Sequence, residues 1–342
     1  MELVITIDAE EDQWGPVPAG ASSVTNIQEV RTLQTVFREH RVVPTYLLTY
    51  PVAHDERAAA VLRDLLDAGD CEIGMHCHPW NTPPHEELMN RRNSMLCNLP
   101  VSLQQEKIRR LHDIIYERFE RPPLAFRSGR WGFDRETAVI LSKLGCRVDS
   151  SITPYTSWVG SEGPDFSSYS PHTFSFCAAD FGRMDAEGDM VEVPVTIGYV
   201  GGNFARCHRW RMRLNRPPFQ RLRLAGCLAK LGFMRSVWLS PERETAPRLI
   251  RLLRQSMREG CGVVNLFFHT PSLQVGCTPF VRTGGDKRRL FATLGTVLKF
   301  CLDTGITPIP LSQAAGQVIA TAAPNRQMQR PRMTASFASH GS

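Results

Sequence analysis

Short apolar, β-branched runs recur along this chain, and between them the apolar positions return with the 3.6-residue period of helices. The runs at residues 3–7, 42–48, 71–75, 124–126, 146–148, 191–197, 263–268 and 306–309 are the expected strands. Helices are expected over 26–40, 55–68, 103–120, 134–144 and 286–303, and another opens at Ser240-Pro241 and stops near Gly260. Thr25 with Gln28 and Ser102 with Gln105 have capping-box spacing ahead of two of these helices. Strands alternating with helices predict a parallel sheet covered by helices, and seven or eight strands are enough to curl it into an α/β barrel.

Two stretches break the rhythm. Residues 153–188 are rich in Ser, Pro, Gly and aromatic side chains, and 198–238 are strongly basic. Both read as insertions in a single catalytic barrel spanning 1–321, and long insertions in a compact domain usually shape a functional cleft. From 322 to 342 there is no periodicity, which predicts a disordered tail.

Composition narrows the function classes. The apolar fraction of 42% in 342 residues supports a full core without staples. The ten cysteines form no CxxC pair, so neither a disulfide framework nor a zinc ribbon is indicated. The first apolar run is interrupted at Asp8, and no run approaches the roughly 18 residues of a membrane span. A cytoplasmic protein with no integral membrane segment is expected. The net charge of +6 comes largely from the arginine-rich stretch 206–235, which lacks the interleaved aromatics of a nucleic-acid groove. A solvated basic face, with no nucleic-acid partner, is the expectation, and attraction to an acidic polymer stays open.

Four motifs carry chemistry, each at the end of an expected strand. Asp8, Glu10, Glu11 and Asp12 crowd four carboxyl groups into five positions, and in extended chain Asp8 and Glu10 face the same side. His76 and His78 are two apart, so a continuing strand turns both imidazoles one way, suited to a shared metal. Arg127 precedes a glycine-bearing turn through Gly129 and Trp131, where it is available to pair with a carboxylate. His269 ends the apolar run that begins at Val263. Each has a plain alternative: a solvated acidic loop, a half-exposed histidine pair, a surface arginine beside a helix start, a structural histidine. Their common position, shared by Asp149, favours the functional reading, because barrel enzymes build their sites at the C-terminal ends of strands.

With these motifs in order, the chain resembles the NodB-homology polysaccharide deacetylases, carbohydrate esterase family four, over roughly residues 1–311. Thr6-Ile7-Asp8 matches the start of that family's Thr-Phe-Asp-Asp motif, and the resemblance implies that Asp8 is the catalytic base. Ala9 stands where the family has a metal-binding aspartate, so the ligand role passes to Glu10, with Glu11 as the alternative. Glu72-Ile73-Gly74 matches the start of the histidine motif, although His76 and His78 are separated by one residue rather than three. Arg127 matches the arginine that positions the base, and Trp131-Gly132 resembles the Tyr-Gly whose backbone N–H binds the oxyanion. Leu266 to His269 matches the Leu-x-x-His motif, making His269 the implied general acid. Val148-Asp149-Ser150-Ser151 and Glu192-Val193-Pro194 resemble segments of an exopolysaccharide-associated branch, where an aspartate, here Asp149, orients or tunes other groups.

The implied fold is an irregular parallel (β/α) barrel, and the implied activity is metal-dependent removal of an N-acyl group, typically acetyl, from an amino sugar of a glycan. Two imidazoles and one carboxylate leave an open coordination position, as in catalytic zinc sites. Two other functions fit the same residues: hydrolysis of another carbon–nitrogen bond such as a cyclic amide, and a catalytically silent glycan-binding protein that keeps the barrel.

Overall fold

The computed structural model describes residues 1–15, 22–185, 187–216 and 235–317. The expected tail and residues 217–234 of the second insertion lie outside the described residues. A curled sheet dominates, with strand order β10-β1-β2-β3-β4-β5-β7-β6. In chain order these are β1 (Glu2–Ala9), β2 (Thr45–Leu48), β3 (Glu72–Cys77), β4 (Ala125–Ser128), β5 (Val148–Asp149), β6 (Phe174–Phe176), β7 (Met190–Glu192) and β10 (Val263–His269). Neighbours from β10 to β7 are parallel, and only β6, contributed by the first insertion, runs antiparallel, on β7. A short β11 (Thr307–Pro308) pairs with the start of β1.

Among the described residues no strand ladder joins β7 to β10. Irregular chain bridges the gap: Thr196 N–H donates to the Asn265 carbonyl at 3.1 Å, and the Asn265 N–H returns a bond to Thr196 Oγ1 at 2.8 Å. The expected strand at 191–197 is therefore two pieces, β7 and β8 (Ile197–Tyr199), separated by a segment containing Pro194, which has no N–H for a ladder. β8 pairs antiparallel with β9 (Ser236–Trp238), so the second insertion carries its own two-stranded sheet.

Alternation explains the two sides of the wall. Leu3, Ile5, Ile7 and Ala9 of β1 and Val264, Leu266 and Phe268 of β10 join the large core beneath the helices. Val4, Leu47, Ala125, Val148, Val191 and Val263 point the other way and plug the barrel interior. Thr6, Asp8, His76, Arg127, Ser150, Asn265, Phe267 and His269 share that inward parity, so the polar site sits on top of an apolar plug. Gly74 is required in this layer, since a Cβ there would lie 2.7 Å from Leu47 Cδ2 and 2.8 Å from the Ala125 carbonyl oxygen.

The helices follow the expected period with shifted ends. α1 (Val30–Glu39) is preceded by a 3-10 turn at Thr25–Glu29, and α2 (Tyr50–His54) is a single turn after β2. α3 (Glu56–Asp67) and α5 (Arg135–Lys143) are capped by Asp55 and Asp134, which accept from the Ala58 and Thr137 N–H groups. α4 (Val101–Phe119) lies between them. α6 (Phe204–Leu214) belongs to the second insertion, and α7 (Ala246–Arg258), α8 (Gly284–Asp303) and the short α9 (Leu311–Ala314) complete the chain.

Neither expected capping box forms. Thr25 donates to Asp12 at 2.7 Å instead, and α4 starts after Pro100 with no side-chain cap. Ser240 is not an N-cap either: α7 begins five residues after Pro241, behind Thr245, with Pro247 in its first turn. The intervening turn delivers Glu242 to the site.

Candidate functional site

The ends of β1, β3, β4 and β10 meet at the top of the barrel, and each motif residue falls inside its strand or just beyond it. Parallel register sets Asp8 beside His269 and His76 beside Arg127. Asp8, His76, His78, Arg127 and His269 are all buried. This excludes the half-exposed and surface alternatives for those residues.

The four acids of the first motif are separated by their partners. Asp8 takes Arg127, whose Nη1 donates to Asp8 Oδ1 at 2.6 Å. Glu10 Oε1 lies 2.9 Å from both His76 Nε2 and His78 Nε2. Glu11 turns aside and accepts from Thr49 at 3.0 Å and Asn81 at 2.7 Å. Asp12 binds Ser23, Thr25 and Asn26, tying down the chain that enters α1. Between Glu10 and Glu11, then, it is Glu10 that faces the imidazoles.

Among the described residues two sets have donor atoms within 4.8 Å of one another: Glu10, His76 and His78, and Asp8, Glu10 and His269. Ligand atoms about 2.0 Å from a tetrahedral zinc stand about 3.3 Å apart, so the first set needs only small adjustments. The protons give a second test of fit. His76 Nδ1 is 3.0 Å from the Arg127 carbonyl oxygen, which only accepts, so Nδ1 carries the hydrogen. Neutral His76 therefore points a bare Nε2 lone pair at a carboxylate oxygen, an arrangement that calls for a cation between them or for an extra proton.

Electrostatics report the same tension. Burial alone would push the Glu10 carboxyl up, but hydrogen bonds from His76 and His78 and the charge of His269 outweigh it and hold it well below the ordinary range. Burial opposes a charged His76 too, yet Asp8 and Glu10 raise it, while burial and then the neighbouring His76 charge lower His78 to about 4. His78 is set by packing: it stacks on Trp80 at 4.0 Å, and a Cβ on Gly129 would lie 2.1 Å from its Nδ1. That close approach explains the glycine after β4.

Arg127 is fully enclosed, and each of its three nitrogens is hydrogen-bonded. Besides Asp8, it donates through Nε to the Ser150 carbonyl (2.9 Å) and through Nη2 to Thr6 Oγ1 (2.6 Å) and Ser150 Oγ (2.9 Å). Asn265 ties Thr6 and Ser150 together, accepting from Thr6 Oγ1 and donating to Ser150 Oγ, each at 2.9 Å. Phe267 and the Trp131 indole flank the guanidinium at 5.7 and 5.5 Å. Trp131 has a φ of 64°, left-handed for a bulky residue, held by the turn Gly129–Trp131.

His269 is gripped from the side away from Asp8. Its Nδ1 donates to Glu242 Oε2 at 2.9 Å, its backbone N–H donates to Oε1 at 3.1 Å, and its Nε2 lies 3.6 Å from Asp8 Oδ2. Burial would lower His269, but the Glu242 charge and hydrogen bond, with Glu10 and Asp8 behind them, raise it to about 9. Trp14 covers the ring edge-on at 4.9 Å. Glu242 is the residue the sequence reading missed, hidden behind the helix start expected at Ser240-Pro241.

Asp149 is not with the others. It follows inward-facing Val148 and precedes Ser150, so it points to the helix side of the wall, where Ser151 donates to it through Oγ (2.7 Å) and N (3.0 Å). Its neighbour there is Glu192, its register partner on β7. Burial and then the Asp149 charge push Glu192 well above the carboxylate range.

Known structures share this architecture. A candidate polysaccharide deacetylase of Mycobacterium smegmatis superposes with a TM-score of 0.54 at 18% identity, covering 97% of this chain and 94% of that one. A candidate polysaccharide deacetylase of Pseudomonas aeruginosa PAO1 gives 0.51 at 12% identity, covering 94% and 92%. This chain has the polysaccharide deacetylase fold. The Puue allantoinase has that fold as well, with a TM-score of 0.53 at 12% identity over 94% of this chain and 91% of its own. No protein-family model matches the sequence, and no curated protein matches it. The deacetylase fold thus rests on structure, and the chemistry must be argued from the site.

Proposed function

We propose that this protein is a divalent-metal hydrolase, with zinc as the natural ion, that removes an N-acyl group, acetyl above all, from an amino sugar of a polysaccharide or its precursor. One observation carries the reading. Glu10 Oε1 is shared at 2.9 Å by two imidazoles, while the Asp8 carboxylate and a third imidazole, His269, lie alongside, 3.6 Å from each other.

Glu10, His76 and His78 would hold the ion, which when bound supplies Lewis-acid polarisation of the acyl carbonyl. Asp8, fixed by Arg127, accepts the proton of the attacking water. The water oxygen bonds to the acyl carbon, and the developing oxyanion is met by the Trp131 N–H, a role that rests on the motif resemblance. His269, kept protonated by Glu242, then gives its proton to the sugar nitrogen as the carbon–nitrogen bond breaks, releasing the acid and the free amine. Ala9, in place of the family's second aspartate, faces the core, and Glu10 supplies the missing carboxylate from the same side as Asp8.

The test is hydrolysis of acetylated chito-oligomers by zinc-loaded wild type and Asp8→Asn, run beside allantoin and small cyclic amides. Amine release that falls by ~10²–10⁴ in the variant, with metal content unchanged, supports the reading. Turnover of the cyclic amides alone would transfer the same residues to ureide chemistry. Absence of stoichiometric metal would favour the silent glycan-binding function.

A further inference from the structure

Helix α6 has four arginines and no acid among its eleven residues. Arg211 is turned to the fold and donates to Ser236 Oγ at 3.0 Å. Arg206, Arg209 and Arg213 are spaced by three and four residues, which puts them on one face, and all three are exposed, as is Arg216 just beyond the helix. Among the described residues none of these four is in an ion pair, whereas Arg235 and Arg248 nearby share Glu244. Trp210 and Met212 stand on the exposed part of the same helix, 48% and 40% accessible, and the Arg213 guanidinium lies 6.0 Å from the Trp210 ring centre.

A merely solvated basic face has no use for an exposed tryptophan and methionine among its arginines. A single-stranded nucleic acid would need successive stacking rings, and α6 shows one. Arginine for phosphate, with tryptophan at the boundary between apolar and polar layers, is the combination that suits a lipid headgroup region. The anchoring is firm: Phe204 is buried in the core, and Tyr199 Oη lies 3.0 Å from His208 Nδ1, fastening the inner face of α6 to β8. The strand paired with β8 is β9, whose Trp238 packs on Trp131 and Phe267 at the cleft, 6.2 and 5.9 Å away.

We propose that the exposed face of α6, centred on Arg206, Arg209, Trp210 and Arg213, docks the protein on an anionic lipid surface. The docking does not depend on the hydrolytic activity. If that activity is also correct, the two-stranded β8–β9 sheet links the docked face to the cleft, so a glycan carried by the membrane is the substrate the two features share.

Co-sedimentation of the full chain with vesicles tests this. Binding is expected to vesicles of phosphatidylcholine with about 30% phosphatidylglycerol, not to phosphatidylcholine alone, and to be released by 0.5 M salt, where the screening length falls to roughly 4 Å. The triple variant Arg206→Gln/Arg209→Gln/Arg213→Gln, shown by its melting curve to fold as wild type, is expected to partition about 100-fold more weakly. His76→Ala is expected to bind vesicles like wild type whatever becomes of catalysis. No binding to the anionic vesicles, equal binding to both compositions, or full binding by the triple variant would each overturn the proposal. So would retention on dextran sulfate that depends on the three arginines without any vesicle binding, which would assign the face to a soluble acidic polymer.

Discussion

Glu242 holds His269 by two bonds at once, accepting from ring Nδ1 at 2.9 Å and from the backbone N–H at 3.1 Å. The double attachment fixes the ring plane and places the other ring nitrogen toward Asp8. It also leaves the carboxylate and the imidazole as a buried charged pair, with Ser272 donating a further hydrogen bond to Glu242.

Glu242→Gln keeps the shape and removes the charge. His269 is raised to about 9 in the native site, so a rate that needs its proton is sustained to that pH and declines above it. Without the carboxylate charge the imidazole falls back toward its ordinary value near 6.5, and the alkaline limb of kcat/KM moves to lower pH. An unchanged profile would remove Glu242 from the positioning of the acid.

Much of this site was legible in the sequence because strand alternation is strict. Asp8 and Glu10 share a side, as do His76 and His78, and the parallel register brings them together without further information. What the apolar pattern mislocated was the strand ends. The expected runs stop at Ile7, Met75, Phe126 and Phe268, while the ladders continue through Asp8, His76, Arg127 and His269. Hydrophobicity ends where the site begins, but backbone pairing does not. Glu242 was hidden for a different reason: Ser240-Pro241 has the chemistry of a helix start, and local propensity gave no sign that the turn is needed 27 positions away in sequence, at His269. Asp149 was placed in the site by its position after an expected strand and by resemblance, although its parity, one step from Ser150, puts it on the far side of the wall.

Metal binding should appear in stability as well as in rate. An ion held by Glu10, His76 and His78 binds the folded chain and relieves the lone pair of His76 that faces a carboxylate. Zinc at 100 times its Kd is expected to stabilise the protein by about 2.7 kcal/mol, and a chelator should reverse the rise in Tm. His76→Ala should show no zinc-dependent rise. Retention of the full shift in that variant would place the ion elsewhere.

The Asp149–Glu192 pair gives a separate, pH-dependent signature. Asp149 accepts two hydrogen bonds from Ser151 and is the natural site of the negative charge, while Glu192 Oε2 has no other partner among the described residues. The unfolded glutamate titrates near 4.3 and the folded one well above it, so the stability contributed by its proton is complete below about pH 4.3 and is lost as pH rises through the raised value. Glu192→Gln has no such proton to lose. Its denaturation midpoint should therefore gain on wild type as the pH is taken from 4 to 8. A constant difference across that range would mean that the pair is not protonated in the fold.

Lys107 tests the support of the histidine loop. It is fully buried on α4, and its Nζ donates to the carbonyls of Pro79, Thr82 and Pro84 at 2.9, 2.7 and 2.7 Å and pairs with Glu87 at 3.0 Å. These contacts gather the chain immediately after His78 into one fixed loop. Lys107→Met preserves the stem but leaves three carbonyls without a donor and a buried carboxylate without a counter-charge, a loss of ~3–5 kcal/mol. Adding Glu87→Gln removes the uncompensated charge and not the orphaned carbonyls, so the double variant should recover ~1–3 kcal/mol of that loss in urea denaturation. Strict additivity of the two substitutions would show that the ion pair contributes nothing, and that the loop is held by the carbonyl bonds alone.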